Sequence, residues 1–180
     1  MRATIIALML TFATQAGAEC GKLCDGDWWM RATVSDVHAE LNAGADVMAR
    51  KEDGSTPLHY APATRTPANI QALLDAGADV MARDHDGWTP LHYAASGTST
   101  NIQALLDAGA DVMALTMAGI TPLHLAAMFS KPAQIHALLA AGADTKAKGK
   151  DGNTPWDYAQ ANETLKGTEA YRALKDAHYN

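Results

Sequence analysis

The sequence predicts an all-α solenoid: helix-turn-helix units joined by β-turn fingers, with polar capping units at both ends. Three observations predict it. Thr56-Pro57-Leu58-His59 returns from Thr89 and Thr121 and fades into Thr154-Pro155-Trp156-Asp157, so the threonines lie 33, 32 and 33 residues apart. Ala-Gly-Ala-Asp recurs in the same phase, its glycines at 44, 77, 109 and 142 each 12 residues before the next threonine. Between these markers runs an apolar stripe, Ile70/Leu73/Leu74, then Ile102/Leu105/Leu106, then Ile135/Leu138/Leu139, the spacing of a helix with one buried face. A unit this small cannot bury that face alone, so neighbours must stack.

The local chemistry of one unit agrees. Thr56 brings a hydroxyl to an N-cap, and Pro57 suits the first helical position, where no N–H is needed. Leu58 and Ala61 give a short first helix with a small-residue face. Gly77 stands where the left-handed residue after the second helix is wanted. Val80 to Gly87 is too short and turn-rich for a helix and reads as a finger reaching to the next Thr-Pro.

A period near 33 carrying T-P-L-H-x-A resembles the ankyrin repeat family. The likeness spans roughly residues 27–180 and fits a short exported bacterial member. The expected divisions are a signal peptide (1–18) and a repeat domain (19–180). Within the domain lie an N-terminal cap (27–50), full repeats 51–83, 84–115 and 116–148, and a C-terminal cap (149–180).

Taken in order, the chain opens with Arg2 and an apolar core, Ala3–Ala13, and Ala16-Gly17-Ala18 completes an A-x-A cleavage site before Glu19. That pattern predicts a secretory signal peptide, too short to span a bilayer. Glu19 before Cys20 argues against a lipid-modified cysteine, and no later run suits a membrane helix. The mature chain is therefore expected in the periplasm, or secreted beyond it. Loss of Arg2 leaves 13 basic against 20 acidic residues, a formal charge of −7. An acidic chain without a basic stripe is a poor partner for nucleic acid or anionic membrane. Cys20 and Cys24 are the only cysteines, and in an oxidising compartment they are expected to form a disulfide that pins the terminus.

In the N-terminal cap, Trp28, Trp29 and Ala32 stand in for a first helix and Ser35 is expected to cap the second. Glu40 holds the phase of Leu73, as a water-facing end requires. Pro62 falls inside the first helix of the first full repeat and should end it early. Thr66-Pro67 and Pro132 should open second helices. The second full repeat is one residue shorter and carries Gly97, favoured by the family, where Arg65 and Ser130 stand elsewhere; those two turns are expected to differ in shape. At the far end Asp157 replaces the motif histidine, and Thr168 can cap a final helix with Tyr171 and Leu174 inward. Caps at both ends imply a self-contained, monomeric array.

No catalytic constellation and no cofactor motif is present: no His-Glu-x-x-His, phosphate loop, nucleophile elbow or zinc spacing. By the resemblance, His59, His92 and His124 tie helix caps to neighbouring repeats. His38 and His136 fall on an outward polar row, and His85 lies between Asp84 and Asp86 in a finger. Met48, Met81 and Met113 follow Asp-Val where the family commonly has Asn. One methionine per repeat at about 10 Å steps suits packing between fingers better than a metal site. The competing expectation is a periplasmic metal- or redox-handling protein built on Cys20, Cys24 and these thioethers.

The resemblance implies a non-enzymatic protein-binding module whose finger tips and first-helix ends form the recognition surface. There the chain is uneven. Finger one is ionic, finger two carries Arg83, His85 and Trp88, finger three (115–120) has no charge, and finger four has Lys148 and Lys150. Trp88, Leu115, Met117, Ile120, Met128 and Phe129, flanked by Arg83 and His85, form the expected partner-binding patch. The alternative is that Trp88 and Phe129 only pack on adjacent turns. An adaptor or assembly factor for an exported protein, or an inhibitor of the immunity type, would use the same residues.

Overall fold

The computed structural model describes residues 20–64, 66–97, 99–129 and 131–180. The expected signal peptide and the two turn positions Arg65 and Ser130 lie outside them. Among the described residues there are ten α-helices and no strand. They are α1 (Gly26–Trp29), α2 (Val34–Asn42), α3 (Pro57–Tyr60), α4 (Pro67–Asp75), α5 (Pro90–Ala94), α6 (Ser99–Asp107), α7 (Pro122–Met128), α8 (Pro132–Ala140), α9 (Pro155–Ala161) and α10 (Glu169–Tyr179). The short first helices α3, α5, α7 and α9 stack in one layer and the longer α2, α4, α6, α8 and α10 in the other. The core is one continuous cluster between the layers. Leu58, Leu91, Leu123 and Trp156 supply it from the first layer, and Val37, Ile70, Leu73, Ile102, Leu105, Ile135, Leu138 and Leu174 from the second.

Helix boundaries follow the residues that set them. Pro57, Pro90, Pro122 and Pro155 occupy the first turns of their helices behind a threonine in extended conformation. Pro62 does cut its helix short: α3 stops at Tyr60 and continues only as a 3₁₀ turn, Ala61–Ala63, whereas α7 runs to Met128. Gly77 adopts φ 93°. The Ala78 N–H reaches the Leu73 carbonyl at 2.9 Å and the Gly77 N–H reaches Leu74 at 2.9 Å, a Schellman closure of α4. Gly97 is required for a different reason. A Cβ there would sit 2.8 Å from the Pro62 carbonyl of the preceding pair.

Side-chain amides, buried at Asn69, Asn101 and Gln134 and half-buried at Asn162, join successive helix pairs. Asn69 donates to the Ala32 carbonyl (2.9 Å), and Asn101 to Pro62 (2.9 Å) and Thr64 (2.7 Å). Gln134 donates to Gly97 (2.5 Å) and Asn162 to Ala127 and Met128 (3.0 Å each). Each satisfies carbonyls left over where the preceding first helix ends.

At the N-terminal end two expectations are corrected. Ser35 does not cap α2. Thr33 does, its Oγ1 accepting from the Asp36 N–H (3.3 Å) while Asp36 accepts from the Thr33 N–H (2.9 Å). That reciprocal box places the cap two residues earlier and leaves Ser35 exposed inside the helix. Of the two tryptophans, Trp29 is fully buried, its indole donating to the Leu23 carbonyl (2.7 Å), and Trp28 packs edge-on against it. Ala32 lies beyond the end of α1. Leu23, on a 3₁₀ turn at Gly21–Cys24, is itself fully buried in the core cluster. Glu40 is half-covered and ion-paired with Lys22 at 2.8 Å.

Candidate protein-binding surface

The surface rests on the Thr-Pro-Leu-His boxes. In each, the threonine N–H donates to the imidazole Nδ1 three residues on, at 3.0 Å for Thr56–His59 and 3.1 Å for both Thr89–His92 and Thr121–His124. An amide N–H can only donate, so Nδ1 accepts and the ring proton sits on Nε2. That Nε2–H points at the next finger's closing carbonyl: Trp88 at 3.1 Å, Ile120 at 3.0 Å and Asn153 at 3.2 Å. Burial pushes all three imidazoles below their ordinary range, His92 to about 4. They stay neutral, as this double role demands. This matches the structural role that the resemblance implied.

Each histidine thus holds a finger at its base, and the fingers hold one another at the tips. The His85 N–H bonds the Asp53 carbonyl (2.8 Å), Met117 bonds Asp86 (2.7 Å) and Lys150 bonds Ala118 (2.9 Å). The tips therefore stand in register as Glu52, His85, Met117 and Lys150, all exposed. Tyrosines brace the fingers from the first-helix layer. Tyr93 Oη donates to Asp84 Oδ2 (3.0 Å) and Tyr158 Oη to Asp151 Oδ2 (2.5 Å).

The predicted patch residues separate into three settings. Met117, Phe129, Leu115 and Met128 are exposed by 64%, 49%, 47% and 38%, large apolar side chains that the core does not use. Trp88 and Ile120 are half-buried against the core, and the Trp88 ring lies 5.4 Å from Tyr93 and 5.9 Å from His92. Arg83 is exposed but engaged, its guanidinium donating to the Leu115 carbonyl, while His85 lies at a finger tip. Arg83, Leu115 and Met117 are neighbours through these bonds. Met128 and Phe129 share a separate groove of about 360 Å³ with Tyr158, Ala161, Asn162 and Glu163.

Sequence reasoning missed the tyrosine braces, the side-chain amides and the groove partners of Phe129. The first carried a signal: a tyrosine follows the motif histidine at 93, and Tyr158 falls at the same place. The groove had none, because its residues come from one full repeat and from the cap unit, which departs from the pattern.

Cys20 and Cys24 sit at disulfide distance, with Cα atoms 5.4 Å apart. Two of the methionine sulfurs are occupied. Met81 Sδ accepts from the Asp111 N–H (3.3 Å) and Met113 Sδ from the Asp144 N–H (3.2 Å), each reaching into the next unit. The thioethers thus pack between repeats. Among the described residues no three His, Cys, Asp or Glu side chains gather as a metal site, and no helix is long and apolar enough to cross a membrane.

Comparison with known proteins agrees with this geometry. A family model for ankyrin repeats in three copies matches residues 30–116 and one for a single ankyrin repeat matches residues 118–150. No curated protein matches the chain. With its boxes, glycine closures and in-register fingers accounted for across those residues, the chain belongs to the ankyrin repeat family.

Proposed function

We propose that this chain works outside the cytoplasm as a protein-binding module, an adaptor or inhibitor of an exported protein. Its binding surface would be the finger tips and first-helix ends of the second and third full repeats. Ankyrin repeats are protein–protein interaction modules, and the family is typically non-enzymatic. The observation that carries the finer reading is the exposure of Leu115, Met117, Met128 and Phe129. These four large apolar side chains face water, as the apolar centre of an interface would. The charged tips on either side, Glu52 and Lys150 among them, supply a polar rim.

The test places a photo-crosslinking residue at the exposed Ala118 and maps adducts in intact cells, with Met117→Ala/Phe129→Ala as the comparison. Adducts should fall severalfold in the variant while its melting curve is unchanged. Equal yields in both would remove this surface from the proposal. Export is tested separately, by mass spectrometry of fractionated cells; the periplasmic form should begin at Glu19, and a cytosolic chain starting at Met1 would refute it.

A further inference from the structure

We infer that the partner is an extended protein segment that lies along the finger tips with its charges in a fixed order: basic, then apolar, then acidic. This rests on the binding surface proposed above and adds the chemistry of what it binds.

The tip ladder puts three rows in register. One row is Arg50, Arg83, Leu115, Lys148; the next is Glu52, His85, Met117, Lys150; the third is Asp53, Asp86, Ala118, Asp151. The basic groups of the first two fingers are already engaged. Arg50 donates to the Gly54 and Arg83 carbonyls (2.8 Å each), Arg83 donates to the Leu115 carbonyl, and Lys51 lies over the Tyr60 ring at 5.3 Å. These bonds leave the cationic charges in place, so finger one, Arg50 and Lys51 against Glu52 and Asp53, balances to zero, and finger two, Arg83 against Asp84 and Asp86, carries a formal charge of −1. Finger three presents Leu115 and Met117 with no charge. In finger four Lys148 and Lys150 are exposed and form no ion pair among the described residues. Asp151 accepts from the Tyr158 hydroxyl and the Asn153 N–H, just as Asp84 is taken up in finger two by Tyr93 and Trp88. Both aspartates keep their charge, and finger four, Lys148 and Lys150 against Asp151, carries a formal charge of +1.

From finger two to finger four the ridge thus runs from net negative through apolar to net positive. Neighbouring repeats step by roughly 10 Å, so fingers two and four are about 20 Å apart, close to six residues of extended chain at about 3.3 Å each. A segment with a basic group and an acidic group some six residues apart, and apolar side chains between them, meets all three zones together. Opposed patterns place like charges face to face, which costs affinity and selects against them.

The experiment uses the purified mature chain and three labelled synthetic peptides with the same apolar centre. Their flanks are lysine and glutamate, glutamate on both sides, or lysine on both sides. Fluorescence anisotropy should show the mixed peptide binding about tenfold more tightly than the doubly basic one, the scale set by two exposed charge contacts changing sign. Lys148→Glu/Lys150→Glu should turn that preference towards the doubly basic peptide, and the difference should shrink as salt is raised. Equal binding of all three peptides, reduced by Met117→Ser, would overturn the charge order and leave the surface standing. Binding of none, or binding indifferent to Met117→Ser, would overturn both. Sedimentation showing a dimer lost in Met117→Ser would make the occupant a second copy of this chain, and so also overturn the inference. All substituted side chains are exposed, and an unchanged thermal melt confirms that each variant is folded.

Discussion

The interior boxes and the terminal one use the same cap for different ends. At His124 and at Asp157 the side chain accepts from the threonine N–H three residues earlier, at 3.1 and 2.8 Å. His124 then reaches onward with Nε2 to the Asn153 carbonyl of the next finger. Asp157 has no proton to offer, and among the described residues no finger follows α9 to receive one. The cap alone does not demand histidine; the neighbour does. A carboxylate at the end also tolerates its exposed setting, where the Thr154 N–H holds it below the usual carboxylate range. An imidazole in the interior must stay neutral, and burial keeps it so.

This contrast can be broken first with pH. A group whose folded pKa is depressed favours the fold fully above its unfolded value, and that contribution is lost as pH falls. For the buried histidines the loss begins near 6.5 and, for His92, runs to about 4. His92 alone is then worth on the order of 3 kcal/mol, with His59 and His124 adding in the same direction. The capping carboxylates Asp36 and Asp157, also depressed, act only below about 3.8. Urea midpoints should therefore fall steadily between about 6.5 and about 4; a flat profile there would mean the imidazoles are not confined as drawn.

Next in size is His92→Leu, which strands the buried Thr89 N–H and removes the tie to Ile120. It should cost about 2–3 kcal/mol in equilibrium unfolding. Asp157→Ala loses only an exposed cap and should cost about 1 kcal/mol by the same measurement. Asp157→His should be smallest, within about 0.5 kcal/mol of the parent, because it restores an acceptor and adds a donor with nothing to bind. A large gain from that substitution would show that some carbonyl does await it.

Much of the fold was legible because it is written several times over. The phase of Thr56, Thr89, Thr121 and Thr154, the closure at Gly77 and the shortening at Pro62 each follow from a local rule applied to a repeated pattern. What resisted reading is aperiodic or distant. Ser35 and Thr33 both offer a hydroxyl near the start of α2, and only Asp36 three residues on decides for Thr33. Leu23 stands before the first repeat, and no sister unit shows that it belongs to the core. Arg83 looks free in the sequence because its acceptor is a backbone carbonyl one repeat away. The surface was legible as a list of exposed apolar residues, but not the groove that joins Phe129 to Tyr158, which depends on how two helices sit side by side.

The ties between fingers repeat from unit to unit: each motif histidine donates forward to the next finger's closing carbonyl, and each tip N–H donates back to the finger before. A duplicated middle unit would find its bonds waiting on both flanks, and a deleted one would let the remaining pair clasp as before. Length is thus the cheapest property of this protein for evolution to alter.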